Sequence, residues 1–336
     1  MLSKDFRGEI WTNVDERVLQ AIVSANAESI DGCVGNDFYS LRAIDFVQRQ
    51  FREKIYATYT INGTGANIIA MKAMLDRYSS IICANETHIS VYEAGAFEYT
   101  LGCKILSVEG INGKLTVSAM QNMLKNTKKY KYNPKVIVLT QPTELGTVYT
   151  LDELKAITDY AHANGLYVYV DGARIANAIT ALQTSLSQMI EYADIDAFTI
   201  GGTKAGAMFG EMVVFRRAEF AKYLPYLQKQ SFQHFDKSKF LGAQFVALLE
   251  DDLWLENAEK GNQNAKILAR KFGDKQIKPH YPVESNMVFV PVDDMQMERL
   301  SQKYDLHYWN EELKIVRFVT TANTTEASMD ALVRCF

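Results

Sequence analysis

The segments Lys135-Val-Ile-Val-Leu-Thr140 and Leu166-Tyr-Val-Tyr-Val170 decide the fold class of this chain. Both are short apolar runs rich in β-branched and aromatic residues, the pattern of strands buried on both faces of a sheet. Between them, Thr150 and Glu153 have the spacing of a capping box, apolar residues recur at helical intervals, and Gly165 supplies a helix stop. The order strand, helix, strand predicts a β-α-β unit, and such units build parallel sheets.

The sequence on either side of this unit repeats the alternation. A helix is expected over residues 66–77, and strands are expected over 79–83, 104–108, 194–199 and 211–215. Alternating strands and helices are typical of an α/β protein in which helices cover a mostly parallel sheet. We therefore predict a large α/β part built on such a sheet.

The pattern changes after about Lys239. One long helical stretch over 241–272 is followed by shorter predicted strands at 287–292, 306–309 and 315–319, with helices between and after them. Because this order fits a separate α+β unit, we predict two domains. Residues 1–240 form a large domain that includes the N-terminal segment, and residues 241–336 form a small C-terminal domain.

The composition excludes several classes of protein. The 336 residues are 48% hydrophobic and 23% charged, which suits a folded core and excludes a disordered chain. The 36 basic and 40 acidic residues give a net charge of -4, whereas a nucleic-acid binder normally has a basic excess. No apolar run approaches the ~18 residues that a membrane helix needs, and the N-terminal sequence lacks the apolar stretch of a secretory signal.

Cysteine and histidine usage points to a reducing compartment and to no metal. The four cysteines are scattered and form no C-x-x-C pair, so we expect them to be reduced and the protein to be cytoplasmic. The five histidines have no metal-ligand spacing, and no metal site is predicted.

The most informative motif is Ile200-Gly-Gly-Thr-Lys204-Ala-Gly-Ala-Met-Phe-Gly210. Its single lysine follows an apolar strand, and the small neighbours let a flat ligand approach the backbone. A lysine in an apolar site has a lowered pKa and becomes a nucleophilic amine. The alternative is a glycine-rich turn with a solvated lysine, which is the commoner case for such a motif on its own.

Two further motifs lie where a ligand of an α/β sheet would bind. Asp171-Gly-Ala-Arg174 comes directly after a predicted strand, and ligands bind beyond the carboxyl ends of parallel strands. The alternatives are that Asp171 pairs with Arg174 or caps the next helix. Gly63 and Thr64 lie in Asn62-Gly-Thr-Gly-Ala-Asn67, between a strand-like segment and a helix, where free amide groups bind phosphate. This segment lacks the dinucleotide and ATP fingerprints.

His88 and Glu93 lie five residues apart in the chain. His88 can stack on an aromatic ligand or move protons near neutral pH, and the alternative is a histidine hydrogen-bonded within a loop. A nucleophilic lysine, an aspartate for a pyridinium nitrogen and a phosphate-binding helix start together describe a site for pyridoxal 5′-phosphate.

These motifs resemble those of the threonine aldolase and aromatic amino acid β-eliminating lyase family of pyridoxal-phosphate enzymes. The similarity runs over nearly the whole chain and is most specific at residues 63–67, 88–95, 143–146, 169–174 and 201–211. It implies the aspartate-aminotransferase-like fold, also called fold type I. It also implies cleavage of the Cα–Cβ bond of a β-hydroxy-α-amino acid, of the L-threonine or L-allo-threonine type, to glycine and an aldehyde.

Three other functions stay open beside this one. The first is a β-eliminating lyase that uses the same cofactor on an aromatic amino acid. The second is an aminotransferase. The third is a catalytically silent scaffold, against which the lysine, aspartate and histidine set argues, because a scaffold needs no reactive amine.

The resemblance assigns a set of residues to the cofactor. Lys204 condenses with the cofactor aldehyde, and Asp171 keeps the pyridine nitrogen protonated. His88 stacks on the ring, while Gly63 and Thr64 hold the phosphate. His88, or a water that it orients, is the expected base for the β-hydroxyl proton, with Glu93 in support.

The resemblance assigns other residues to the substrate and to a second subunit. Arg174 lies near the phenolic oxygen of the ring or near the substrate, and Lys229 and Arg317 border the substrate carboxylate. Lys237 reaches the phosphate of a neighbouring subunit, which implies a homodimer or homotetramer.

Two positions depart from the family pattern. Arg7-Gly8-Glu9 lacks the serine that many members place at the substrate carboxylate, and Glu144 replaces a second active-site histidine. Both departures bear on which substrate is preferred, and they leave the cofactor chemistry unchanged.

Overall fold

The computed structural model describes Ser3, residues 5–29 and residues 32–336. The helices in this part are α1 (Glu16–Ala27), α2 (Phe38–Gln48), α3 (Gly63–Met74), α4 (His88–Val91), α5 (Ala96–Leu101), α6 (Val117–Tyr130), α7 (Leu151–Ala163), α8 (Ile175–Leu182), α9 (Leu186–Tyr192), α10 (Ala218–Ala221), α11 (Leu224–Gln230), α12 (Lys239–Leu249), α13 (Leu253–Asp274), α14 (Asp294–Ser301) and α15 (Glu326–Val333). The strands are β1 (Tyr56–Thr60), β2 (Ser80–Ala84), β3 (Lys104–Val108), β4 (Pro134–Thr140), β5 (Tyr167–Asp171), β6 (Ala197–Gly201), β7 (Glu211–Phe215), β8 (Met287–Pro291), β9 (Tyr308–Asn310) and β10 (Ile315–Val319).

The large sheet runs in the order β1-β7-β6-β5-β4-β2-β3. Strands β2 to β6 pair in parallel, whereas β7 is antiparallel to both of its neighbours, β1 and β6. The predicted β-α-β unit forms β4, α7 and β5, and Thr150 and Glu153 make the predicted capping box. The prediction of an α/β fold with a mostly parallel sheet is confirmed.

Both faces of this sheet are covered by apolar cores. In β4, Ile137 and Leu139 belong to one core, and Val136 and Val138 belong to the core on the opposite face. This alternation follows from the two-residue period of a strand. Helix α3 and Tyr169 of β5 lie on the same face as Val138, which is the face that carries the candidate site.

A small antiparallel sheet, β8-β10-β9, lies near the C-terminal end. Its core includes Val288, Phe318 and Phe272 of α13, and also Phe6 from the N-terminal segment. In contrast, Leu241 of α12 packs in the core of the large sheet. The domain division at residues 240 and 241 stays a prediction, because each predicted domain contributes side chains to the other's core.

The single helix expected over 241–272 is wrong, since the structure has α12 and α13 there. The helices meet at Glu250-Asp251-Asp252, where Asp252 has a left-handed φ of 52°. Aspartate tolerates this conformation better than most residues. Acidic side chains are also unfavourable at a helix C-terminus and favourable at a helix N-terminus, so they fit a break better than a continuous helix.

Two strand bounds also differ from expectation. The strand expected at 194–199 lies at Ala197–Gly201, because Asp194 turns with a φ of 52° and Asp196 accepts a hydrogen bond from the Val168 amide at 2.7 Å. The strand expected at 306–309 lies at Tyr308–Asn310. Within the described ranges, no helix has both the length and the apolar character that a bilayer crossing requires.

Candidate active site

The carboxyl ends of three neighbouring parallel strands bring the candidate residues to one edge of the large sheet. Asp171 ends β5, Lys204 follows β6 and Glu144 follows β4. These strands pair directly with one another, in the order β6-β5-β4. Residues far apart in the chain therefore meet beyond one sheet edge, where ligands of α/β proteins bind.

Lys204 lies in a one-turn 3₁₀ helix, Thr203–Ala205, that is packed closely against the start of β7. A Cβ built on Gly202 would approach the Gly210 carbonyl oxygen to 2.6 Å, and Gly206 has a φ of +119°, so both positions need glycine. The lysine is half-buried, which differs from the solvated lysine of the alternative interpretation.

The electrostatic surroundings of Lys204 favour the neutral form of its amine. Burial and the nearby charge of Arg174 lower its pKa, while Glu144, Glu9 and Asp171 act in the opposite direction. The net effect is a lowered pKa, which raises the fraction of neutral amine. A neutral amine is the form that attacks an aldehyde.

Asp171 is buried, and its carboxylate is held by two donors. Oδ2 accepts a hydrogen bond from Asn67 Nδ2 at 3.0 Å, and Oδ1 accepts one from the Ala173 amide at 3.0 Å. Each carboxylate oxygen has two lone pairs, so both oxygens of Asp171 can accept a second hydrogen bond. The arrangement fits the N–H of a protonated pyridine ring.

Arg174 pairs with Glu9 and not with Asp171. Its Nε and Nη2 donate to Glu9 Oε1 at 2.5 Å and Oε2 at 2.9 Å, and Asn286 Nδ2 donates to Oε1 at 2.8 Å. Burial alone would raise the pKa of Glu9, but Arg174, Lys204 and Asn286 together lower it to about 2. The alternative that paired Arg174 with Asp171 is wrong, and a contact of Arg174 with cofactor or substrate stays a prediction.

A buried hydrogen-bond chain joins Asp171 to His88. Asn67 Nδ2 donates to Glu93 Oε1 at 2.6 Å as well as to Asp171, and the same Glu93 oxygen lies 2.8 Å from His88 Nδ1. Tyr169 donates from its hydroxyl to Asn67 Oδ1 at 2.8 Å, which fixes the orientation of the amide. The predicted partnership of His88 with Glu93 therefore has a direct geometric basis.

The pKa of His88 is raised. Burial acts to lower it, but the hydrogen bond with Glu93 and the charges of Glu144 and Asp171 outweigh burial and the repulsion from Lys204. A histidine whose Nδ1 is held by a carboxylate presents Nε2 as the nitrogen that exchanges protons.

Arg317 lies on strand β10 of the small sheet, and it faces Glu144, which follows strand β4 of the large sheet. The Arg317 Nη1 atom lies 3.9 Å from Glu144 Oε2, and the guanidinium carbon lies 4.1 Å from the centroid of the Trp309 ring. Trp309 in turn contacts Tyr92, with ring centroids 5.2 Å apart. Burial raises the pKa of Glu144, yet the cations around it, Arg174, Lys204, His88 and Arg317, lower it overall. A guanidinium here can receive a carboxylate ligand.

The first turn of α3 offers a place for a phosphate. The Asn62 side chain accepts from the Gly65 amide at 2.8 Å, so the helix begins at Gly63, three residues before the expected start at residue 66. Nothing lies within 4 Å of a Cβ built on Gly63, which leaves open space beside the first amide groups, including that of Thr64. Such a helix start binds anions.

The structure does not bring Lys229 and Lys237 into this cluster. Lys229 is exposed and lies 3.3 Å from His234 Nε2, and Lys237 is also exposed. Their roles at the substrate carboxylate and at a neighbouring subunit's phosphate stay predictions. Three further residues belong to the site without a role predicted from the sequence: Glu9, Asn67 and Tyr169. All three stand inside predicted motifs, Glu9 in Arg7-Gly8-Glu9, Asn67 at the start of α3 and Tyr169 two residues before Asp171.

Comparison with known proteins decides the family. The sequence profile of the beta-eliminating lyase family matches residues 5–295 of this chain. The chain belongs to the beta-eliminating lyase family. The family predicted from the motifs is thereby confirmed. Enzymes of this family use pyridoxal 5′-phosphate, so the predicted cofactor is confirmed as well.

Relatives of this beta-eliminating lyase family member cover nearly its whole length. The low specificity L-threonine aldolase of Pseudomonas aeruginosa is 33% identical over 301 residues, covering 89% of this chain and 87% of that protein. The low specificity L-threonine aldolase of Pseudomonas sp. is 32% identical over 333 residues, covering 98% and 96%.

Solved structures agree with the fold. The threonine aldolase of Leishmania major is 27% identical with a TM-score of 0.92, covering 99% of this chain and 98% of that one. An aspartate aminotransferase of Thermotoga maritima is 14% identical with a TM-score of 0.76, covering 100% and 91%, and it shows the fold alone. The predicted aspartate-aminotransferase-like fold is confirmed.

Proposed function

We propose that this chain cleaves the Cα–Cβ bond of a β-hydroxy-α-amino acid of the L-threonine or L-allo-threonine type, giving glycine and an aldehyde. The observation that carries the proposal is the meeting of Lys204, Asp171 and His88 beyond one sheet edge, with Arg317 and Glu144 beside them. The near full-length similarity to two L-threonine aldolases supports this choice of substrate class.

Lys204, Asp171 and the start of α3 would hold the cofactor. When bound, pyridoxal phosphate accepts the electron pair that is released as a bond to Cα breaks. Lys204 Nζ would provide the covalent attachment, since its lowered pKa favours the neutral amine. Asp171 would hold a proton on the ring nitrogen, and the amides of Gly63 and Thr64 would receive the phosphate.

Arg317 would fix the substrate by its carboxylate. The guanidinium stacks on Trp309, which limits its rotation and presents its donors in a defined plane. A carboxylate held at one point restricts the rotation of the amino acid about Cα. The bond to be broken is thereby kept in the orientation that the reaction needs.

His88 would take the proton from the β-hydroxyl group. Glu93 Oε1 holds Nδ1 at 2.8 Å and leaves Nε2 for the substrate or for a water. A raised pKa makes neutral His88 a stronger proton acceptor. Glu144, whose pKa is lowered, stays ionised beside Arg317 and sets the charge of the space around the substrate.

Product analysis tests the proposal. The purified protein, loaded with pyridoxal phosphate, is incubated with L-threonine, L-allo-threonine, phenylserine and tyrosine, and Lys204→Ala serves as the inactive control. Formation of glycine and an aldehyde is expected. Formation of a 2-oxo acid and ammonia would instead establish β-elimination, and amino transfer to 2-oxoglutarate would establish an aminotransferase.

We also propose a homodimer or homotetramer in the cytoplasm. The exposed Lys237, assigned by family resemblance to the phosphate of a neighbouring subunit, supports the assembly. The four free cysteines suit a reducing compartment. Light scattering of the purified protein measures the mass of the assembly, and a monomer at micromolar concentration would contradict this part of the proposal.

A further inference from the structure

Glu211 is a buried carboxyl group at the candidate site that the mechanism above does not use. It begins β7, where it pairs with Gly201 of β6 on one side and Thr60 of β1 on the other. Only 3% of the residue is exposed. Burying a carboxyl group is costly unless it is hydrogen-bonded or compensated by charge, so its contacts indicate what it serves.

The Glu211 carboxyl group contacts the turn that carries Lys204. Glu211 Oε2 accepts a hydrogen bond from the Gly202 amide at 3.0 Å. The Gly202 amide is shared with the Gly210 carbonyl oxygen at 3.1 Å, and the Thr203 hydroxyl accepts from the Gly210 amide at 3.1 Å. Glu211 therefore holds Gly202, two residues before Lys204, in a turn that is also bonded to the residue preceding Glu211.

We propose that Glu211 is a positioning residue for Lys204: it fixes the turn that carries the lysine, and its carboxylate supplies negative charge to the lysine nitrogen whenever that nitrogen carries a proton. This inference rests on the proposed attachment of the cofactor to Lys204. Within the described part of the chain, the charges of Lys204 and Asp171 act on Glu211. The charges of Arg174, Glu144, Glu9 and Asp171 act on Lys204.

The protonation of the two groups is coupled. Burial raises the pKa of Glu211 to about 7, and Asp171 adds to this effect, while the Lys204 charge, the neighbouring Thr203 hydroxyl and the hydrogen bond from the Gly202 amide oppose it. A protonated Lys204 therefore favours the ionised carboxylate. When the lysine nitrogen loses its charge, Glu211 takes up a proton more readily, so the site avoids an uncompensated buried charge.

A spectroscopic titration tests the inference without using catalysis. The absorbance of the loaded protein is followed against pH for the wild type, for Glu211→Gln and for Glu219→Gln, an exposed control. The glutamine keeps an acceptor for the Gly202 amide but has no negative charge. For Glu211→Gln, we expect the midpoint pH of the absorbance titration to fall by about one unit, because removal of the carboxylate destabilises the protonated form of the Lys204 nitrogen. The control should match the wild type, and coincident midpoints in all three would overturn the proposal.

A second pair of variants covers the case in which Glu211→Gln does not fold. Glu211→Asn and Glu211→Asp have side chains of equal length, one methylene shorter than glutamate, and only the aspartate keeps the negative charge. The asparagine variant should lower the midpoint in the same direction, by roughly half a pH unit, and the aspartate variant should not. Equal midpoints for the two would overturn the proposal. Retention of the absorbance band by Lys204→Ala would instead show that the proposed lysine is wrong.

Discussion

The buried pair of Glu9 and Arg174 gives the sharpest prediction about stability. Glu9→Ala removes the carboxylate that accepts from Arg174 Nε and Nη2 and leaves the guanidinium buried without its counter-charge. The side chains are only 6% and 7% exposed, so water cannot replace the lost partner. We expect a large loss of stability although the residue lies in an N-terminal segment outside the large sheet.

Two independent routes give the magnitude. Removing one partner of a buried ion pair typically costs about 3–5 kcal/mol. The pKa of Glu9 falls from its ordinary 4.5 to about 2, and at roughly 1.4 kcal/mol for each pH unit this difference corresponds to about 3 kcal/mol. Because the two values agree, we expect the free energy of unfolding to drop by about 3 kcal/mol or more for Glu9→Ala.

Urea unfolding at pH 7 measures this loss, with cofactor loading and protein concentration held equal in all variants. The matched control is the double variant Glu9→Ala with Arg174→Met, which removes both charges and should recover part of the lost stability. A loss below about 1 kcal/mol for Glu9→Ala would show that the buried pair contributes no more than an exposed one. A double variant less stable than Glu9→Ala would contradict the expected recovery.

The same pair predicts how stability depends on pH. Because the pKa of Glu9 is lowered by folding, its contribution is present above about pH 4.5 and is lost as the pH falls toward about 2. Glu9→Gln should abolish this part of the acid sensitivity. An unchanged acid-unfolding curve for Glu9→Gln would show that the carboxylate is not the group that titrates.

Three further substitutions probe the site. Asp171→Asn should retain the cofactor but slow cleavage by about 100-fold or more, because an amide cannot hold the ring nitrogen protonated. Steady-state kinetics measures the rate of cleavage, and a smaller decrease would contradict the role of Asp171. Asn67→Ala removes the donor shared by Glu93 and Asp171 and should cost about 1–3 kcal/mol in urea unfolding. Arg317→Lys should raise KM by about 10-fold with kcat little changed, since it weakens binding of the carboxylate in ground and transition states alike.

Local sequence signals were enough to predict the α/β class with its mostly parallel sheet, whereas the aspartate-aminotransferase-like fold followed from the family resemblance. The apolar run at 135–140 and the capping box at Thr150 act over a few residues, and each specifies its own strand or helix boundary. The break at Asp252 was missed, because no glycine or proline marks it and the apolar spacing continues on both sides. Acidic residues at a helix end are a weaker signal, and they identify the break only when read together with helix polarity.

The site was predictable where one motif holds the chemistry, as at Lys204 and Asp171. The partners that complete it come from distant parts of the chain. Glu9 and Arg174 are 165 residues apart, and Asn67 and Asp171 are 104 apart. No local pattern encodes such pairs, since they form only when the sheet and the N-terminal segment have assembled.

Locating the cofactor on the chain tests its proposed attachment to Lys204 directly. Sodium borohydride reduces the bond between the cofactor and its lysine to a stable form, and mass spectrometry of the digested protein then identifies the modified residue. We predict a pyridoxyl-phosphate group on Lys204 and none on the Lys204→Ala variant. A modified lysine at any other position in the wild-type protein would contradict the assignment of Lys204 as the cofactor-binding residue.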